Sequence, residues 1–275
     1  MKKMNENPIV GFPKEWASFF ERHPQYPQAL NNLQMAFDKI FIRQADLRNH
    51  ADKVVFFMGR LCAEDFNEIF LLAANGYGFG ALKLVRGIYE NTVTSAYLAK
   101  NQDQAEDFLL YHHIHRGKLF KHAQLFFGDL EKFLEAKEIN EANEEFEKHK
   151  AKFQRVSCKT CKTTTLMHSW SKLDLVSMAK KTDLDHLYFP GFFHPTLQAH
   201  ATAAAVINRL KSTDDGDITF DGGSQPDIAD KALVIAHNLI IRVLDLQNDY
   251  FSLKFENELE AINKDFQAVW GDKDK

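Results

Sequence analysis

The chain has 275 residues, a net charge of −4 from 34 basic and 38 acidic side chains, and 45% apolar residues. This is ordinary globular composition, which excludes a disordered or collagen-like chain and a strongly basic nucleic-acid coat, although a local basic patch remains open. Twenty-four Phe against 13 Gly and 7 Pro favour long helices packed by aromatics over a strand-rich sandwich, and three Cys suit a reducing compartment, so a cytoplasmic location is expected. In chain order, Pro13–Arg22 reads as a short helix ended by the prolines of His23–Pro27. From Gln28 to Asn75 apolar residues fall at helical spacing, and Asn75-Gly76 is a stop signal. Helices follow from Phe79 to Lys100 and from Gln104 to Phe127, then a charged helix over Asp129–Lys152 that should reach out of the body. Gln154–Thr165 is a Cys-, Lys- and Thr-rich linker. Trp170–Lys181 reads as a short helix, Phe189-Pro190-Gly191 as a turn, Pro195–Lys211 as a helix, 212–226 as an acidic loop, and Asp227–Phe255 as a long last helix. These elements predict an all-α, single-domain bundle of about eight helices. The most apolar stretch, ALVIAHNLIIRVLDL, is too short and polar to span a bilayer, so no membrane partner is expected.

The helix around LVRGIYENTVTSAYLA (Leu84–Ala99) is apolar or small almost all round, so it belongs at the centre of the bundle. The only formal charges of the segment Leu84–Ala99, Arg86 and Glu90, share one face. Two readings follow: a buried ion pair that fixes helix packing, or an Arg86 that faces a cleft with Glu90 orienting its guanidinium towards an anion. His194, in PGFFHPT, precedes a proline and should stand at or near a helix N-cap. The helix dipole there disfavours a positive charge, so a neutral imidazole beside free N–H groups would suit a general base; a capping histidine packed on Phe192 and Phe193 is the plainer alternative.

Tyr111, His112, His115, Lys118 and His122 share overlapping azimuths on one helix, a polar face or groove lining more than a metal stripe, since no Glu-x-x-His occurs in the chain. Cys158-Lys-Thr-Cys161 is a lone Cys-x-x-Cys that His149 and His168 could complete as a zinc site, though one pair alone is a weak signal. No cofactor or metal is assigned on these grounds. The lysines and Arg155 of Lys148–Lys162 form an acid-free basic run that could touch phosphates or simply be a solvated helix end. The glycines of GYGFG (Gly76–Gly80) fit helix termination and not a dinucleotide fingerprint.

The run LLAANGYGFGALKLVRGIYENTVTSAYLAK, the helix after Ala105, WSKLDLVSMAKKTDL, and Tyr188 ahead of His194-Pro195 together resemble a bacterial helical family catalogued as domain of unknown function 5677, over roughly Phe66–Leu210. More distantly the arrangement is similar to the HEPN helical bundles, many of them metal-independent dimeric ribonucleases of toxin and antiviral systems. Their nuclease motif is an Arg, usually followed by a polar residue, with a His four to six residues on. Here YFPGFF precedes His194 without an arginine, while Arg116…His122 has the spacing but carries Gly117 after the Arg. The resemblance implies a candidate ribonuclease acting on RNA as a homodimer. His194 would accept the 2′-hydroxyl proton, Arg86 held by Glu90 would stabilise the phosphorane, and Tyr111 or His115 would protonate the leaving oxygen. The alternative is a non-enzymatic module that binds a partner protein or an anionic small molecule.

Overall fold

A computed structural model describes residues 11–157, 160, 161 and 163–271. Among them the chain is all-α apart from two short hairpins, with helices α1 (Glu15–Arg22), α2 (Tyr26–Phe41), α3 (His50–Ala74), α4 (Gly78–Lys100), α5 (Ala105–Phe127) and α6 (Ala136–Lys150). Strands β1 (Gln154–Val156) and β2 (Thr164–Leu166) follow, then α7 (Leu175–Lys181), α8 (His194–Ala199), α9 (Ala203–Ile207), strands β3 (Leu210–Ser212) and β4 (Ile218–Phe220), α10 (Pro226–Phe251) and α11 (Glu256–Trp270). Both hairpins are antiparallel.

Local chemistry sets these boundaries. A capping box starts α3: Asn49 Oδ1 accepts from the Asp52 N–H at 2.8 Å, and Asp52 Oδ2 accepts from the Asn49 N–H. Asn75 ends it and Gly76, at φ +82°, turns the chain as the stop signal predicts. The expected central helix is central: α4 packs against both α3 and α10 and buries Leu82, Val85, Ile88, Tyr89, Val93 and Leu98 completely. Gly78 is required there, because a Cβ would lie 2.5 Å from Gln225 O and 2.6 Å from Ala229 N, so the first turns of α4 and α10 meet backbone to backbone. On the far side, α2 and α11 pair with each other.

α5 and α6 form an arm with a small core of its own, Tyr111, Ile114, Phe146 and Phe153. The charged helix therefore does not merely reach into solvent; its Ala142 and Phe146 dock on α5. Gly117, which breaks the Arg-polar pattern of the HEPN motif, is a packing glycine: a Cβ would stand 2.6 Å from Phe146 Cβ. Beyond this contact the arm leaves Leu125, Phe126 and Phe127 exposed.

Several elements differ from expectation. The segment 28–75 is two helices, parted after Phe41. The helix anticipated from Trp170 starts only at Leu175, where Asp174 caps it by accepting from the Ser177 N–H at 2.8 Å. Pro195–Lys211 is not one helix: α8 ends at His200, whose backbone is extended, Thr202 caps the short α9, and β3 follows. The acidic loop holds the β3–β4 turn, and α11 adds a helix after α10.

His194 is the first residue of α8, beside its N-cap Phe193 as expected, but this is not a free helix end. Phe189–Phe193 forms a π-helical turn that runs without interruption into α8, and His194 has helical angles, φ −62° and ψ −46°. Its N–H donates to Phe189 O five residues back. Pro195 has no N–H to give, and the wider turn just ahead of it lets the helix continue past the missing donor. Thr196 Oγ1 donates to Phe192 O, satisfying one loosened carbonyl. The His194 N–H is thus already engaged and Pro195 offers none, so neither is free to bind an anion.

Candidate functional site

Arg86 and Glu90 lie on a half-open stripe of α4, not in its desolvated centre; their side chains are 28% and 40% exposed. The order Arg then Glu, weak for an isolated helix, is compatible with this site because neighbours fix the guanidinium. Nε and Nη2 both donate to Glu90 Oε1, at 3.1 and 3.0 Å. Nη1 stands 2.9 Å from His200 Nε2, and the guanidinium lies 4.7 Å over the Phe192 ring. The histidine that meets Arg86 is thus His200, which becomes reachable because α8 stops there. No periodicity in the sequence marks it.

His194 faces elsewhere. Its ring lies parallel to that of Phe189 and lines a cavity of about 580 Å³ bounded by α8, the β3–β4 hairpin, the start of α4 and the start of α10. Arg209, Lys211 and Lys231 line the same cavity, with Asp221 and Asp227 as its acids. Arg86 is not part of that wall, so the two expected partners do not share it.

Within the cavity the cations are not equivalent. Lys211 is tied to Asp221 at 2.7 Å, and this ion pair, helped by the Gly223 N–H, holds the Asp221 carboxyl below the usual carboxylate range. Arg209 and Lys231 make no ion pair within 4 Å among the described residues, although the Arg209 charge also acts on Asp221 from farther away. Arg209 is instead held by aromatics, 4.6 Å over the Phe79 ring and 5.7 Å from that of Phe220. A guanidinium fixed by ring faces keeps its N–H donors for a ligand. No sequence pattern marks Arg209 or Lys231, since the fold of residues 200–226 brings Arg209 to His194 and the start of α10 brings Lys231 there.

Tyr111 and His115 belong to the arm. The Tyr111 hydroxyl donates to Met167 O at 2.7 Å and accepts from Lys118 Nζ at 3.1 Å, and the His115 ring packs edge-on against it. Burial pushes the His115 imidazole below its ordinary value, and Lys118 and His112 add to this. Through Trp170 this cluster adjoins Tyr97, eleven residues along α4 from Arg86, a rise of about 16 Å. Tyr111 and His115 are therefore not placed to serve a site at Arg86.

Of the possible zinc set, Cys158 lies outside the described residues, Cys161 is exposed, and His149 turns towards Glu145 and His113. No described helix is long and apolar enough to cross a membrane.

No curated protein and no solved structure matches the chain. One family model does, over residues 52–218, more than half of the chain, from the first turn of α3 to the first residue of β4 and hence including Arg86, Glu90, His194, His200 and Arg209. The chain belongs to that family, the family of unknown function DUF5677.

Proposed function

We propose that the protein binds a phosphate-bearing ligand, single-stranded RNA being the class in view, in the cavity lined by His194, Arg209 and Lys231. The observation that carries this reading is that two cations without ion-pair partners among the described residues converge with an imidazole on one concave wall. Phosphate oxygens accept hydrogen bonds from a guanidinium in a planar fork, and an ammonium adds a point charge. Phe79 and Phe220 beside Arg209 add ring surface of the kind on which bases stack. Fluorescence anisotropy with a labelled RNA oligonucleotide tests it. Arg209→Ala and Lys231→Ala should each weaken binding and each reduce the slope of log affinity against log salt by about 1. Affinity and slope unchanged in both variants would reject it.

A second reading, metal-independent cleavage, is favoured by His194 lining the same wall as Arg209. His194 would take the proton from a 2′-hydroxyl as that oxygen attacks phosphorus, Arg209 would stabilise the charge on the phosphorane, and the departing 5′-oxygen would take its proton from water. In this arrangement Arg209 takes the role first assigned to Arg86, and Tyr111 and His115 have none. Cleavage of RNA in the presence of a chelator, lost in His194→Ala and Arg209→Ala but kept in Arg86→Ala, supports it. Absence of cleavage leaves the protein a binding module. The homodimer that the HEPN likeness implies is read from light scattering of the purified chain.

A further inference from the structure

We propose that His113, Glu145 and His149 form a binding site for one divalent transition-metal ion of the zinc type. It lies on the arm and does not rest on the phosphate reading. Glu145 and His149 are four residues apart on α6 and so share a face, and His113 meets them from α5. Gly117, one turn beyond His113, lets α6 approach closely enough for this.

The donor atoms of all three residues lie within 4.8 Å of one another. His149 Nε2 is 3.2 Å from Glu145 Oε2, and His113 Nε2 is 3.8 Å from the same oxygen. The two rings stack, 18° apart with centroids at 5.2 Å, and the Nε2 atoms of both reach the same Glu145 oxygen. Ligands bonded at 2.0–2.1 Å around a tetrahedral ion stand about 3.3 Å apart. One pair already has that spacing, and small rotations about the side-chain bonds bring in the third. Two imidazoles and one carboxylate suit zinc or a neighbouring transition ion and not magnesium or calcium, which take oxygen ligands. The side chains are 30%, 34% and 16% exposed, so water can complete the coordination shell. Lys148 Nζ also donates to Glu145, to Oε1 at 3.0 Å and to Oε2 at 3.3 Å, so it must leave Oε2 for a metal to bind; its side chain is 63% exposed, which lets it swing into solvent.

The test is titration of the chelator-treated full chain with zinc chloride, read by calorimetry and by thermal melting. One zinc per chain and a raised melting temperature are expected. His113→Ala, His149→Ala and Glu145→Gln should each weaken binding by more than the roughly tenfold to hundredfold that loss of an outer-shell partner costs. The Cys158→Ser/Cys161→Ser double variant should bind as the natural chain does, and cobalt loading should give no thiolate charge-transfer band. All three substitutions lie at partly exposed positions, and circular dichroism verifies their folding. Failure to bind zinc, retention of full affinity in His113→Ala or Glu145→Gln, loss in the cysteine variant, or a thiolate band would each overturn the proposal.

Discussion

The indole N–H of Trp270 donates to Nδ1 of the buried His237 at 3.1 Å, tying the last turn of α11 to the middle of α10. The ring nitrogen must be an acceptor there, which requires the neutral imidazole. Phe66 and Phe266 pack edge-on against the same ring, and it has no exposed surface.

A pH dependence of stability follows. Burial pushes the His237 imidazole down from its ordinary 6.5 to about 4. Above pH 6.5 the ring is neutral in folded and unfolded chains alike, and its contribution is constant. Below 6.5 the unfolded chain takes up a proton that the folded chain refuses, so stability falls until the folded ring also titrates near 4. The whole loss is about 3 kcal/mol, with about 2 kcal/mol gone by pH 5. Urea unfolding at pH 7 and pH 5 should show this drop, and His237→Gln should be flatter across the interval. An equal drop in the variant would place the titration elsewhere.

Two glycines of α4 should respond to alanine in opposite directions. At Gly78 the new Cβ would meet backbone atoms of Gln225 and Ala229 that cannot rotate away. The start of α4 must therefore back off from α10, at a cost of about 2 kcal/mol or more. Because Gln225 and Asp227 line the His194 cavity, ligand affinity should fall with it. At Gly87 the nearest atom would be Asp65 Oδ2 at 3.5 Å, an ordinary contact in a helix interior. Gly87→Ala should stabilise by about 0.5–1 kcal/mol through helix propensity alone. Chemical denaturation of both variants measures the contrast.

How much was legible can be seen in these same residues. The placement of α4 follows from apolar residues at helical spacing and from the Asn75-Gly76 stop, because a central helix needs apolar surface on most sides. The exposure of Arg86 does not follow, since small neighbours such as Gly87 read as buried in a helical projection whether or not another element covers them. The three-residue strands of both hairpins are exposed almost throughout and show no alternation to detect. Arg209 depends on the β3–β4 hairpin and His200 on the end of α8, and the sequence pattern marks neither. The rule that residues before proline avoid helical angles fails at His194, because a π-turn lets Pro195 stand inside a helical run. His113 carries no mark in the sequence for a different reason: its partners are on another helix, and only the antiparallel packing of the arm brings them to it.

The half-open setting of Arg86 also sets how much its removal should cost the fold. A desolvated Arg–Glu pair loses about 3–5 kcal/mol when one partner is removed, because the other charge is left buried. Here Glu90 keeps 40% of its side-chain surface in water, so in Arg86→Ala its charge remains solvated. What is lost is one partly screened ion pair, a contact with the Phe192 face and a donor to His200. Together these should amount to no more than about 1–2 kcal/mol. A double-mutant cycle of Arg86→Ala with His200→Ala, followed by thermal melting, isolates the last contact and should give a coupling below about 1 kcal/mol. A loss above 3 kcal/mol in the single Arg86 variant would mean that the guanidinium and its carboxylate are sealed from solvent after all.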